Sequence, residues 1–196
     1  MNIATLILAA GSSSRMGVAK QLLPVGQSTL LGISIKNALQ SNASDTFCVL
    51  GANAESIKAT ILKYDIETII NPNYKLGLSS SIVSGIKHIY TKNYDAVLIA
   101  LGDQPLVTSQ YLNTMIEAYK LNTENIIASR YNSTFGVPAI IPKLYFDQLL
   151  QLKGDKGAKD WLNSRKLTII SIESTNLIDI DTKKEYQDYL NSIKSE

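Results

Sequence analysis

The stretch "LILAAGSSSRMGVAKQLLP", Leu6–Pro24, runs an apolar segment into a polar loop holding two glycines, three serines and two cations, Arg15 and Lys20. An apolar run closed by glycine reads as a buried strand of a parallel sheet. The loop leaving the carboxyl edge of such a strand lies where open α/β sheets bind ligands. Gly11 and Gly17 permit close approaches that a side chain would block, and the intervening amides can face inward as an anion-binding nest. Arg15 can fork onto phosphate oxygens, and Lys20 supplies a mobile point charge. The loop offers nothing to pack, so it is expected to be exposed, with the phosphates of a nucleoside triphosphate as its guest. Its spacing fits neither a Walker loop nor the dinucleotide fingerprint, which would need glycine where Ser13 stands.

Outward from this loop, short apolar runs recur: "TFCVL" from Thr46, "IETII" from Ile66, "AVLIAL" from Ala96, "NIIAS" from Asn125 and "LTIISI" from Leu167. They read as strands. Helical stretches lie between most of them, beginning at Thr29, Ala54, Ser79 and Ser109. The alternation predicts an α/β fold, a mostly parallel sheet with helices on both faces. At "RYNSTFGVPAIIP", Arg130–Pro142, a polar turn before a short apolar run predicts a local antiparallel excursion, and a helix follows from about Lys143. Thr182 and Glu185 stand at capping-box spacing, so the last helix should begin just after Asp181. No repeat or linker interrupts the 196 residues, which predicts a single domain over 1–196.

A second constellation closes the strand "AVLIAL": Gly102, Asp103, Gln104 and Pro105. An acid at that edge faces the same crevice as the first loop. In isolation Asp103 would as readily be a turn residue; beside a polyphosphate it becomes a ligand for Mg²⁺, which takes a carboxylate or two together with phosphate oxygens. Asp179 and Asp181, in "DIDT", are the candidates for a second carboxylate. Their period-two spacing puts them on one side of an extended segment.

Lys+Arg 19 against Asp+Glu 17 gives a net charge of +2, with no basic cluster to mark a nucleic-acid surface. The N-terminus lacks a basic leader and no apolar run is long enough to span a bilayer, so no membrane partner and a cytoplasmic location are expected. Cys48 sits alone in a strand-like run and reads as a buried structural thiol. A serine hydrolase is disfavoured: "GLSSS", Gly77–Ser81, lacks the closing glycine of a nucleophile elbow, and His88, the single histidine, falls in a helix.

"LAAGSSSRMGVAKQLLP" with "GDQP" resembles the MobA-like nucleotidyltransferases, most closely their molybdenum cofactor cytidylyltransferase branch. The likeness extends through "NPNYKLGLSSSI" (71–82), "GVPAIIP" (136–142), "LKGDKGAKDWL" (152–162) and "DIDTKKEY" (179–186), in the family's order. It implies a Rossmann-like fold of nucleotidyltransferase type. It further implies that Leu8, Ala9, Ala10 and Gly11 hold the nucleotide, that Arg15 and Lys20 hold its phosphates, and that Asp103 holds Mg²⁺ with help from Asp181. Asn71, Gly77 and Ser79 would lie near base or ribose. The family's guanylyltransferases tend to read LAGG, so Ala10 favours CTP over GTP. Two positions depart from the pattern: many relatives carry histidine at Val137 and arginine at Lys159, in the half expected to receive the pterin.

The implied reaction joins the terminal phosphate of molybdopterin to the α-phosphorus of CTP and releases pyrophosphate, with a molybdoenzyme or its maturation factor as the next partner. Two other readings stay open at this point. One is a cytidylyltransferase for a small phosphorylated alcohol or sugar phosphate. The other is a module that carries the molybdenum cofactor without turnover.

Overall fold

The computed structural model describes residues 1–164, 166–173 and 177–193. Strand β1 (Ile3–Ala9) is buried along its whole length. It pairs in parallel with β4 (Asp45–Leu50) on one side and β6 (Ala96–Leu101) on the other. Such a strand must present apolar side chains to both faces. Leu6 and Leu8 pack toward helix α3 (Leu78–Ile89), against Ile82 and Ile86. Ile7 and Ala9 pack the other way, against Leu31 and Ile35 of α1 (Leu30–Leu39) and Ile57 and Ile61 of α2 (Ala54–Ile61).

The seven-stranded sheet adds β5 (Glu67–Ile70) outside β4 and, beyond β6, β8 (Thr134–Pro142), β7 (Ile126–Tyr131) and β9 (Ile169–Glu173) in that spatial order. Helix α4 (Ser109–Leu121) covers β6 and β8 through Leu112, Met115, Ile116 and Tyr119. On the opposite face the short helices α5 (Phe146–Leu149) and α6 (Lys159–Leu162) extend the layer begun by α3. The expected α/β architecture with helices on both faces is therefore the observed one.

The antiparallel excursion is larger than a local turn. β8 spans nine residues and runs through the sheet interior, antiparallel to both β6 and β7. Asn132, at φ 52°, makes the reversal that returns the chain beside β7, a left-handed conformation asparagine tolerates better than most residues. A two-stranded hairpin, β2 (Pro24–Val25) with β3 (Ser28–Thr29), has no counterpart in the sequence reading, since each strand is too short to show a period.

Past β9 the chain returns across the carboxyl edge. The Ile180 amide donates to the Asp103 carbonyl at 3.0 Å, and buried Ile180 packs with Val25, Leu30 and Tyr189. Helix α7 (Lys183–Ser192) then starts as expected: the Glu185 amide donates to Thr182 Oγ1 at 3.2 Å, and the Thr182 amide donates to Glu185 Oε2 at 2.8 Å. The capping box fixes where Asp181 sits relative to the sheet.

Candidate active site

The first loop is less free than its composition suggests. Met16 is only 2% exposed, so the loop does pack, through the one apolar side chain between Arg15 and Gly17. Gln21, also buried, donates from Nε2 to the carbonyls of Ala9 at 3.0 Å and Gly11 at 2.9 Å. Ser13 Oγ accepts the Lys20 amide at 3.1 Å and donates to Gln21 Oε1 at 3.2 Å. These bonds fold the loop back on itself, with Ser13 at φ 55° and Gly17 at φ 71° supplying the reversals. The sequence reading assigned Met16 no packing role and passed over Gln21. A lone methionine in a polar loop was the available signal for the first; a glutamine has none.

This frame delivers Lys20 inward. Its side chain is 13% exposed, where an exposed lysine was expected. The ammonium pairs with Asp103 Oδ2 and with Asp181 Oδ1, the latter at 2.6 Å. Arg15 Nη1 reaches Asp181 Oδ2 at 3.0 Å from a largely exposed position. Burial alone would lower the Lys20 pKa, yet the charges and hydrogen bonds of Asp103 and Asp181 outweigh it and hold the ammonium above its ordinary value. The hydrogen bond from Lys20 holds Asp181 below the usual carboxylate value, against the opposing effect of burial. Asp103 Oδ1 is buried and has no hydrogen-bond partner among the described residues.

Asp179 does not share the partners of Asp181. Its Oδ1 accepts from Gln104 Nε2 at 2.7 Å, and the same Gln104 nitrogen donates to the Tyr131 hydroxyl at 2.8 Å. Burial, then the neighbouring charge of Asp103, pushes the Asp179 carboxyl up. Among the described residues no group of three or more histidines, cysteines or acids is placed to hold a metal ion. The pair Asp103 and Asp181, joined through Lys20, is the arrangement present.

Two cavities open at this edge. One, of about 450 Å³, takes Ala10, Gly11 and Ser12 from the first loop, Gly77 from the approach to α3, Ser81 from its first turn, and Asp155. The other, of about 210 Å³, is reached by Leu8, Gln104, Asp179 and Phe135, with Lys156 and Lys159 among its lining. Leu78 lies in the wall of both. Val137 and Lys159, the two departures noted above, both line the smaller cavity.

Asn71 is buried and does not line the larger cavity. It ties β5 to α3 by donating from Nδ2 to Ser80 Oγ at 2.9 Å and Ser81 Oγ at 3.1 Å. Ser79 is fully buried, its Oγ donating to the Gly157 carbonyl at 3.3 Å. Gly77 is in the lining itself. Cys48 is buried, and burial pushes its thiol up to about 12. His88 lies away from this edge, with Nε2 2.6 Å from Glu67 Oε1 at the amino end of β5.

The loop after β1 and the carboxylate after β6, at adjacent strand ends of a mostly parallel sheet and flanked by two cavities, form a crevice where open α/β sheets bind their ligands. Residues 5–169 match the MobA-like NTP transferase domain, and the chain belongs to that family. It is 30% identical over 183 residues to the molybdenum cofactor cytidylyltransferase of Escherichia coli (strain K12), covering 92% of each chain. To the purine catabolism protein PucB of Bacillus subtilis (strain 168) it is 28% identical over 192 residues, again covering 92% of each. The structure of Rv0371C from Mycobacterium tuberculosis H37Rv in complex with manganese superposes with a TM-score of 0.83 at 25% identity, covering 98% of this chain and 100% of that one. No helix among the described residues is long and apolar enough to cross a membrane.

Proposed function

We propose that the protein transfers CMP from CTP to the terminal phosphate of molybdopterin. An oxygen of the acceptor phosphate attacks the α-phosphorus of CTP, the bond from that phosphorus to the bridging oxygen breaks, and pyrophosphate leaves. The observation that carries this reading is Lys20 paired with Asp103 and Asp181 at the edge where Ala10 opens onto one cavity and Leu8 onto the other. The larger cavity suits the nucleoside. The smaller one, apolar at Leu8, Leu101 and Phe135 and basic at Lys156 and Lys159, suits a flat heterocycle bearing a phosphate. The identity with the E. coli cytidylyltransferase over nearly the whole chain supports the choice of acceptor and base.

The acceptor phosphate is already an anionic nucleophile, so no residue need remove a proton from it. The protein's work is alignment and charge stabilisation, as in phosphoryl transfer generally. Lys20 leaves its carboxylates for the triphosphate, and Arg15, on the exposed rim, forks onto its outer oxygens. Asp103 and Asp181 suit Mg²⁺: one Asp103 oxygen is buried without a partner among the described residues, and hard cations favour carboxylate and phosphate oxygens together. When bound, the ion would neutralise charge on the departing pyrophosphate.

The test is a panel of the four nucleoside triphosphates against molybdopterin, read as pyrophosphate release. Turnover with CTP and molybdopterin supports the proposal. Turnover only with a phosphorylated alcohol or sugar would move the acceptor, and binding without pyrophosphate release would make the protein a carrier.

A further inference from the structure

We infer that Asp155 is a specificity-determining residue, accepting a hydrogen bond from the exocyclic amine of cytosine in the cavity beside Ala10. The inference rests on the proposed use of CTP and adds a residue that selects it.

Asp155 belongs to the "GDKG" turn, Gly154–Gly157, far in sequence from the first loop, yet it lines the same cavity as Ala10 and Gly11. Two bonds lock this turn to the start of α3: the Ser79 amide donates to the Gly154 carbonyl at 3.2 Å, and Ser79 Oγ donates to the Gly157 carbonyl at 3.3 Å. Gly77 completes the fit. It sits at φ +95°, and a Cβ there would lie 2.2 Å from Asp155 Oδ1 and 2.6 Å from the Gly154 carbonyl oxygen. Any side chain at 77 would therefore displace the carboxylate. Gly77 and Ser79, expected near the nucleoside, thus act on the cavity by placing Asp155.

Asp155 is exposed at the cavity mouth, so its carboxylate is open to a ligand. An aspartate in a glycine turn ordinarily bonds its own backbone, but Asp155 accepts no hydrogen bond and forms no ion pair among the described residues. Lys75 lines the same cavity without pairing to it. With no cation between them an acid would repel a triphosphate, and neither Arg15 nor Lys20 lines this cavity, so Asp155 faces the part of the ligand farthest from both. That part is the base, and the partner must be a neutral donor. Cytosine presents an amine where uracil presents a carbonyl oxygen, which a carboxylate would reject by lone-pair repulsion and by leaving both acceptors unpaired. Ala10 and Asp155 then make separate choices: Ala10 limits ring size, and Asp155 separates CTP from UTP.

The test is equilibrium binding of CTP, UTP and 2′-deoxy-CTP to the full chain with no acceptor present, using wild type, Asp155→Asn and Asp155→Ala. Thermal melting confirms that each variant folds. Wild type should prefer CTP over UTP by at least about tenfold. Asp155→Asn should cut that ratio by at least about tenfold, because an amide can turn its N–H toward the uracil oxygen. Asp155→Ala should weaken CTP without improving UTP. An unchanged CTP-to-UTP ratio in Asp155→Asn overturns the inference while leaving the cytidylyltransferase reading standing. A change confined to CTP against 2′-deoxy-CTP overturns it too, by assigning the carboxylate to the ribose. A wild type that binds none of the three ends both readings.

Discussion

Lys20 Nζ lies 2.6 Å from Asp181 Oδ1 across 161 residues of chain, and the same ammonium also holds Asp103. A cation thus already joins the two carboxylates proposed for Mg²⁺. Lys20→Met should free both acids and tighten binding of Mn²⁺, used as the probe, to the nucleotide-free protein. Triphosphate binding should weaken in the same variant by at least about tenfold, as expected for loss of a charge-assisted contact. Mn²⁺ titration followed by electron paramagnetic resonance, with and without CTP, checks both directions. Weaker Mn²⁺ binding in the nucleotide-free variant would remove the idea that Lys20 stands in for the metal.

Asp103→Asn keeps the shape of the side chain and removes its charge. Divalent-metal affinity in the presence of CTP should fall, with turnover recovering only at high Mg²⁺, because an amide lacks the anionic oxygen a hard cation favours. Pyrophosphate release measured across a Mg²⁺ series would show it, and an unaltered Mg²⁺ dependence would place the metal elsewhere.

Ala10 is buried beside the cavity proposed for the nucleoside, where its methyl group would limit the space next to the base. CTP should exceed GTP in kcat/KM by at least about tenfold, and Ala10→Gly should narrow that gap by admitting the purine. Equal use of both nucleotides by the wild type would sink the cytidylyl assignment and leave the nucleotidyltransferase one intact.

Met16→Ala removes the apolar anchor of the first loop. Truncating a fully buried methionine costs about 2–5 kcal/mol, and a surface loop that can partly collapse should fall at the low end. Chemical denaturation gives the cost. Faster amide exchange across residues 12–20 would show that the loop, rather than the sheet, has loosened.

At the opposite edge, the hydrogen bond from Lys92 holds the Glu67 carboxyl below its ordinary value, with the nearby His88 charge acting in the same sense against burial. A lowered folded-state value means that the stabilisation is present above the ordinary glutamate range and is lost as pH falls through the folded value. Glu67→Gln should therefore lower stability at pH 7 by no more than about 1 kcal/mol, and by less at pH values below that range. Paired melting curves at the two pH values check it; an equal loss at both would mean that packing, not charge, is affected.

Much of this molecule is legible in its sequence because the relevant periods are strong. β6 is an unbroken apolar run and β1 is interrupted only by Thr5, and both occupy the sheet interior. The capping box at Thr182 is a local pattern and is found where its spacing puts it. β8 was harder, because "TFGVPAIIP" begins with residues only half buried, and its place between β6 and β7 depends on pairing across the sheet. The site divides the same way. Lys20 and Asp103 stand out by residue type, but their direct contact depends on how Gln21 and Ser13 turn the loop. Asp155 has no signal of its own in the sequence, since nothing local reveals that α3 draws its turn into the cavity.

The docking of Ile180 on the Asp103 carbonyl has a consequence for the order in which the site is made. Arg15 and Lys20 are synthesised early, while Asp181 follows more than a hundred residues later, after every strand of the main sheet. Long-range contacts of this kind close late, because the intervening chain must be ordered first. Until the α7 segment folds back, Lys20 lacks Asp181 and keeps Asp103 as its counter-charge, while Arg15 lacks the Asp181 carboxylate it pairs with. A newly made chain can therefore hold its sheet before it holds its site.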